Sequence, residues 1–305
     1  MLVPVTAWCH TYAYVTNQDG DQVTVIDLEQ SEAVTTIDVG HRPAGIALNR
    51  KLDQAYVTNP ESQQVSIIDT RNNRLLKEIQ LGSGPVGIAA NPDGSEVYVA
   101  DWYEDVLYVI DTGNTDISTT IKVGKAPSGV AVSPDGKTIY VANRDDNNVM
   151  FINRDTRSVF ATVPVGKAPF GVTASAAGEY VFVANVQAGS ISIISTKREK
   201  MIATIEVGMF PYAIIEDTSR GRLFVTNQHD NSVSVIDLAD KKVIATITVG
   251  EYPEGIDIND DNSRVYVANW FDDTLSVIDT SSLEVIDEID SGSGSRAFGD
   301  FILQR

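Results

Sequence analysis

A 42-residue internal repeat is the feature that most constrains how this chain can fold. An aromatic residue followed by valine recurs at that interval seven times, at Tyr14, Tyr56, Tyr98, Tyr140, Phe182, Phe224 and Tyr266. A glycine recurs in a second fixed phase, at Gly40, Gly82, Gly124, Gly166, Gly208, Gly250 and Gly292. Because seven copies stay in phase without an insertion, the 305 residues are predicted to form one repeat array rather than two unrelated domains.

Each repeat is predicted to contain four short strands, which we name A to D in chain order. In the copy at 127–166, Pro127 to Ser133 is a run of small apolar residues, and Pro134-Asp135-Gly136 is a turn. Thr138 to Asn143 is then rich in β-branched and aromatic residues, as strands are. Helical periodicity is absent, and four strands repeated seven times predict an all-β, seven-bladed β-propeller. The Gly- and Ala-rich strand A is placed innermost, where strands crowd around the axis.

The two chain ends are offset by part of a repeat, which predicts how the ring closes. The chain opens at strand B near Tyr12 and ends with an extra strand over 296–303, so this strand is expected to complete the blade that the N-terminus begins. Residues 1–6 occupy the same phase and are the alternative occupant. The predicted blades are 12–40 with 296–303, 43–82, 85–124, 127–166, 169–208, 211–250 and 253–292.

Three short motifs make the repeat resemble a known family. They are Tyr-Val-Thr-Asn at 14–17 and 56–59, Val-x-Val-Ile-Asp at 23–27 and 233–237, and Val-Gly-x-x-Pro-x-Gly at 123–129. With these motifs the chain resembles the YVTN family of seven-bladed β-propellers over about its whole length. The resemblance implies an extracytoplasmic protein, either periplasmic or secreted. Met1–Val5 is too short for the apolar core of a secretion signal.

Composition narrows the classes of partner. The formal net charge is −19, which makes nucleic acid an improbable ligand and favours cations and basic protein surfaces. No run of 18 apolar residues is present, so a membrane span is not expected. We expect a monomer without a cofactor, with a calcium or zinc ion as the alternative.

One face of the predicted ring concentrates unusual residues. The links from strand D to the next strand A share a face with the B–C loops, and we call this face the top. Functional residues should lie in loops and break the repeat, because repeated residues are explained by packing. The candidate binding residues are Trp102, Tyr103, Arg144, Phe170, Phe210, Tyr212, His229, Tyr252, Trp270, Phe271, Arg296 and His41. Two interpretations stay open: these side chains cover the seams between blades, or they line an acid-rimmed mouth over the axial channel.

Catalytic chemistry has little support in the sequence. His229 beside Asp230 is the one weak catalytic candidate, and no Gly-x-Ser-x-Gly elbow or zinc-ligand spacing occurs. The sequence therefore predicts a non-catalytic binding or scaffold propeller that docks a protein or small ligand on its top face. The resemblance leaves two alternatives: an accessory subunit or chaperone of a quinone-dependent or other redox enzyme, and a lactonase- or lyase-type enzyme with its site at the channel mouth.

Overall fold

A computed structural model describes residues 10–305 and shows the seven-bladed β-propeller that the repeats predict. The first three blades contain β1 (Thr11–Asn17), β2 (Gln22–Asp27) and β3 (Glu32–Asp38), then β4 (Gly45–Asn49), β5 (Gln54–Asn59), β6 (Gln64–Asp69) and β7 (Arg74–Gln80), then β8 (Pro85–Ala90), β9 (Glu96–Asp101), β10 (Val106–Asp111) and β11 (Asp116–Lys122). Blades 4 and 5 contain β12 (Pro127–Val132), β13 (Thr138–Asn143), β14 (Asn148–Asn153) and β15 (Ser158–Pro164), then β16 (Pro169–Ala174), β17 (Tyr180–Asn185), β18 (Ser190–Ser195) and β19 (Lys200–Glu206).

Blades 6 and 7 complete the ring. They contain β20 (Pro211–Asp217), β21 (Arg222–Asn227), a short 3₁₀ turn (Gln228–Asp230), β22 (Ser232–Asp237) and β23 (Lys242–Thr248), then β24 (Pro253–Ile258), β25 (Arg264–Asn269), β26 (Thr274–Asp279) and β27 (Glu284–Asp290). The chain ends with β28 (Phe298–Gly299) and β29 (Ile302–Gln304). Across residues 10–305, no helix has the length and apolar character needed to cross a bilayer.

The aromatic, threonine and asparagine residues of the Tyr-Val-Thr-Asn motif have structural roles. The seven motif aromatics are buried between neighbouring blades, as the repeat predicts. The threonine joins two blades: Thr58 Oγ1 accepts the N–H of Gly45 at 2.8 Å and donates to the carbonyl of Val86 at 2.9 Å. The asparagine joins strand B to strand C, since Asn227 Nδ2 donates to Ser234 Oγ at 2.9 Å. The motif therefore encodes the fold rather than a binding site.

The aspartate that ends strand C holds the following turn. Asp69 Oδ1 accepts the backbone N–H groups of Arg71 and Asn72, at 2.9 and 3.4 Å. Where the aspartate is replaced, the replacement keeps the interaction, since Asn153 Oδ1 accepts the N–H of Thr156 at 2.9 Å. These acids are consequently structural.

The C-terminal segment closes the ring, but it does so as two strands instead of the single one expected over 296–303. β28 pairs in parallel with β4 of blade 2, and β29 pairs antiparallel with β1 of blade 1. The break falls at Gly299, whose φ is 135° and whose Cβ, if present, would lie 2.1 Å from the Ile46 carbonyl oxygen. Both N-terminal blades are thereby tied to the C-terminus. Residues 1–6, the alternative occupant of this position, lie outside the described residues.

Candidate functional site

The top face is assembled by hydrogen bonds between link loops and B–C loops. In three links the residue after the glycine donates its backbone N–H to an aspartate of the next B–C loop: Lys125 to Asp146 at 2.8 Å, Met209 to Asp230 at 2.6 Å and Glu251 to Asp272 at 2.5 Å. This confirms that the two loop types share a face. It also gives much of the acidic rim a structural role, because these carboxylates fix the loops on which the aromatic side chains stand.

Five rings from blades 6 and 7 form a continuous row on the top face, which we call the rim cluster: Phe210, His229, Tyr252, Trp270 and Phe271. Phe210 stacks on His229 with ring centroids 3.8 Å apart, and His229 lies 5.5 Å from Tyr252. Tyr252 lies 5.6 Å from Trp270 and 5.0 Å from Phe271. The row crosses the seam between the two blades, so it forms one surface.

The rim cluster is aromatic, and three of its five rings, Phe210, His229 and Phe271, are exposed. Phe271 is 60% exposed, Phe210 is 36% exposed, and the neighbouring Met209 adds a further exposed side chain at 56%. The loop geometry does not require large rings. Phe210 occupies a left-handed link position, φ 55°, that Ala168 fills in the preceding link at the same φ. The conformation of the link therefore does not explain why an aromatic residue occupies this position.

A second aromatic group lies on the propeller axis, and we call it the axial plug: Trp102, Phe170, Tyr212 and Phe298. Phe170 and Tyr212 stack at 4.3 Å, and Phe298 lies 5.0 Å from Phe170. Trp102 borders the group 6.0 Å from Phe170, with the Arg144 guanidinium 5.5 Å from its ring centroid. Phe170, Tyr212 and Phe298 are buried. The structure therefore divides most of the candidate aromatic residues between a largely buried group on the axis and a more exposed group on the rim.

Arg296 belongs to the buried group. Its Nε lies 2.7 Å from Glu254 Oε2, and its Nη2 donates to the Tyr212 hydroxyl at 2.5 Å. Gln228 Nε2 donates to the other Glu254 oxygen at 2.8 Å. Burial raises the pKa of Glu254, and the Arg296 charge and the Gln228 bond oppose that rise. Arg296 and Glu254 occupy equivalent positions in neighbouring repeats, and they form a buried ion pair.

Two of the candidates, Tyr103 and His41, belong to neither group. Tyr103 is exposed on blade 3, and His41 is exposed between blades 1 and 2, where its Nδ1 lies 2.8 Å from Asp21 Oδ2. His229 and Asp230 turn to different partners, since His229 Nε2 lies 3.3 Å from the Tyr252 hydroxyl while Asp230 accepts the N–H of Met209. These are contacts within and between the top-face loops.

The opposite face contains a cavity that the sequence interpretation did not anticipate. It occupies about 400 Å³ around the axis, walled by the inner strands of blades 2 to 7, and Phe298 of the axial plug lies between it and Phe170. Its ionisable lining residues are Arg50, Asp257 and Asp300. The signal was present in the sequence, because Asp257 stands where other inner strands carry Ala47, Ala89 or Ala131.

One group in the described part of the chain has metal-ligand spacing. Single ligand atoms of His10, Asp27 and Glu29 lie within 4.8 Å of one another. Both carboxylates already accept backbone N–H groups, Asp27 from Glu29 at 3.0 Å and Glu29 from Thr11 at 2.9 Å. Their positions are thus explained by the strand start and the C–D turn.

Comparison with known proteins places the fold. A family model described as YNCE-like beta-propeller matches residues 103–303. Hydrazine synthase from Kuenenia stuttgartiensis is similar at 24% identity and a TM-score of 0.80, over 88% of this chain and 92% of that chain. A functionally unknown protein from Desulfotomaculum acetoxidans is similar at 16% identity and a TM-score of 0.82, over 94% and 99%. Dihydro-heme d1 dehydrogenase NirN, in complex with DHE, is similar at 14% and 0.68, over 93% and 73%. No curated protein sequence matches the chain.

Proposed function

The chain belongs to the YNCE-like beta-propeller family, and we propose that it is a non-catalytic binding propeller that docks a protein partner on its top face. The observation that carries this proposal is the exposed rim cluster. Single exposed apolar side chains are ordinary, but a contiguous aromatic row on a loop surface is typical of a contact site. Aromatic residues are also the ones that most often supply the binding energy of interfaces.

The chemistry around the rim cluster favours a partner with a basic surface. Exposed carboxylates of Asp230, Glu251 and Asp272 flank the rings, and the chain as a whole has a net charge of −19. Lys and Arg side chains of a partner would pair with these acids, and the apolar stems of the same side chains would cover the rings. Electrostatic attraction would also raise the association rate.

The filled axis supports docking over catalysis in the channel mouth. Phe170, Tyr212 and Phe298 close the channel beneath the top face. A lactonase- or lyase-type site would need an open cavity there with converging acid, base or metal groups. A surface contact needs only the exposed rings and their rim.

A specific observation favours an accessory subunit of a redox enzyme as the form this docking takes. The propeller covers 92% of the similar chain in the hydrazine synthase structure, so that chain is almost entirely a propeller of this size. NirN, the dihydro-heme d1 dehydrogenase, is also similar in fold. In this second candidate function the docked partner is a redox protein. The proposal includes an extracytoplasmic location for the complex.

The experiment compares four immobilised forms of the protein in extract from the source organism. The forms are wild type, Phe271→Ala, Phe210→Ala, and Leu52→Ala as a matched control, because Leu52 is an exposed apolar residue outside the top-face loops. We expect a protein that wild type and Leu52→Ala retain and that both rim variants lose at least tenfold, as for hot-spot residues. Retention should fall with added salt. Equal retention by all four forms would contradict the proposal.

A further inference from the structure

We propose that the axial cavity is a binding site for a small organic monocation, an amine with a compact apolar body. The site is independent of the top-face contact, because the axial plug lies between the two. A volume of about 400 Å³ is within the range of small-molecule pockets. Its walls are formed by small and branched apolar side chains such as Ala89, Ala131, Val132 and Ile215. These walls suit an uncharged hydrocarbon body.

The charges of the cavity wall select a cation. Arg50 donates from Nη1 and Nη2 to both oxygens of Asp300, at 2.5 and 2.9 Å, and its Nη2 also donates to the Ile302 carbonyl at 2.7 Å. This bidentate pair neutralises Asp300 and Arg50 together. Asp257 is then left as the third ionisable lining residue, and when its carboxyl group is ionised the wall has an excess of one negative charge.

Asp257 is held in place without a cationic partner of its own. Its Oδ2 accepts the N–H groups of Phe301 and Ile302, and its Oδ1 accepts the N–H of Ile258, each at 2.8 Å, and the residue is 6% exposed. These bonds fix the carboxylate on the cavity wall, and a carboxylate has acceptor capacity beyond them. An ammonium group in the cavity would supply the missing charge, which is the requirement for keeping a buried carboxylate ionised.

Access comes from the face opposite the rim cluster. Arg50 and Asp300 line the cavity and are also exposed, with side-chain exposures of 46% and 41%. The ligand would therefore enter past their ion pair, place its charge at Asp257 and its apolar body against the alanine wall. A neutral isostere would gain only the apolar contacts, and an anion would meet the carboxylate.

The test uses phenyltrimethylammonium as the probe and tert-butylbenzene as its neutral isostere, each titrated by ligand-detected NMR. We expect the cation to bind at least tenfold more tightly than the isostere. Asp257→Asn keeps the side-chain shape and an acceptor for the Phe301 and Ile302 N–H groups, but not for that of Ile258. The folded variant should weaken the cation at least tenfold without affecting the isostere. Trp270→Ala, in the rim cluster, should bind both probes as wild type does.

A second variant and a pH series keep the result decisive. Ala174→Leu fills the cavity from the wall while leaving Asp257 intact, and it should abolish binding of both probes. Burial, followed by the charge of Asp300, raises the pKa of Asp257 to about 8, with Arg50 and the two backbone donors opposing that rise. Affinity for the permanent cation should accordingly increase up to about pH 8 and level off above it. Equal affinity for cation and isostere, or wild-type binding by folded Ala174→Leu, would overturn the proposal.

Discussion

Replacement of Arg296 by methionine tests what holds the axial plug together. The substitution removes the cation but keeps a long apolar stem. It leaves Glu254, which is 5% exposed, with the Gln228 amide as its remaining side-chain donor at 2.8 Å. It also removes the guanidinium that donates to the Tyr212 hydroxyl. The variant therefore has an uncompensated carboxylate in the core of the ring.

Breaking a buried ion pair from one side costs about 3–5 kcal/mol of unfolding free energy. For a chain of this length, each kcal/mol lowers the melting temperature by about 2 °C, so we expect a loss of roughly 6–10 °C. The deficit should depend on pH. Burial raises the pKa of Glu254 above its ordinary value. An acid whose pKa is raised in the folded state lowers the free energy of unfolding as pH increases. The deficit of the variant should consequently be greatest at pH 8 and should shrink toward pH 5, where Glu254 takes up a proton.

Thermal melts followed by circular dichroism at pH 5 and pH 8 measure both effects. Glu254→Gln in the Arg296→Met background removes the stranded charge and should recover at least half of the lost melting temperature. Arg144→Met is the matched control, because this arginine pairs with the exposed Asp145 and lies over Trp102. It should change stability by about 1 kcal/mol or less. A double variant as unstable as Arg296→Met, or a deficit independent of pH, would refute the reasoning.

Two predictions concern the whole ring. Deletion of residues 296–305 removes β28 and β29 together with Arg296, so its melting temperature should fall further than that of Arg296→Met; an unchanged melt would show that the ring closes without them. Labelled single- and double-stranded DNA should show no binding by fluorescence anisotropy at about 150 mM salt, and tight binding that falls steeply with salt would contradict this. The top-face cations that would then be responsible are Arg42, Lys125, Arg144, Lys167 and Arg296. Three of them already face acids, Arg42 beside Asp19, Arg144 beside Asp145 and Arg296 beside Glu254.

The fold could be predicted because the repeated residues are the ones that hold blades together. Tyr56 fills the space between neighbouring blades, Thr58 bonds two blades, and Asn59 Nδ2 donates to Ser66 of strand C at 2.9 Å. The aromatic contact recurs in every blade and the threonine bond in three, at Thr16, Thr58 and Thr226, so these contacts leave a periodic trace in the sequence. The closure leaves no such trace, since the break at Gly299 depends on Arg50 and Asp257, which come from two different blades.

The candidate site was predicted in composition but not in arrangement. The position of an aromatic residue relative to the link proline decides its direction, and two adjacent examples show this. Phe210 precedes Pro211 and lies on the exposed rim, whereas Tyr212 follows Pro211 and is buried at the axis. Phe210 lies before β20, in a left-handed turn residue with φ 55°, so its ring direction is set by the turn, whereas Tyr212 belongs to the strand. Counting aromatics in a loop, without their offset from the proline, merged two surfaces into one.

The residue after the link proline explains why the axis is filled asymmetrically and why the two faces are separate. Around the ring this position is Ala44, Val86, Ser128, Phe170, Tyr212, Glu254 and Arg296, with Ser295 in place of the last proline. Blades 2 to 4 supply small side chains, and the other blades supply two rings and an ion pair. Large side chains from one half of the ring therefore occupy space that the small residues of the other half leave open. Phe298 packs against Phe170 and also lines the axial cavity. The filled upper axis thus lies between the top face and the cavity, so a ligand in the cavity and a partner on the top face would bind to separate surfaces.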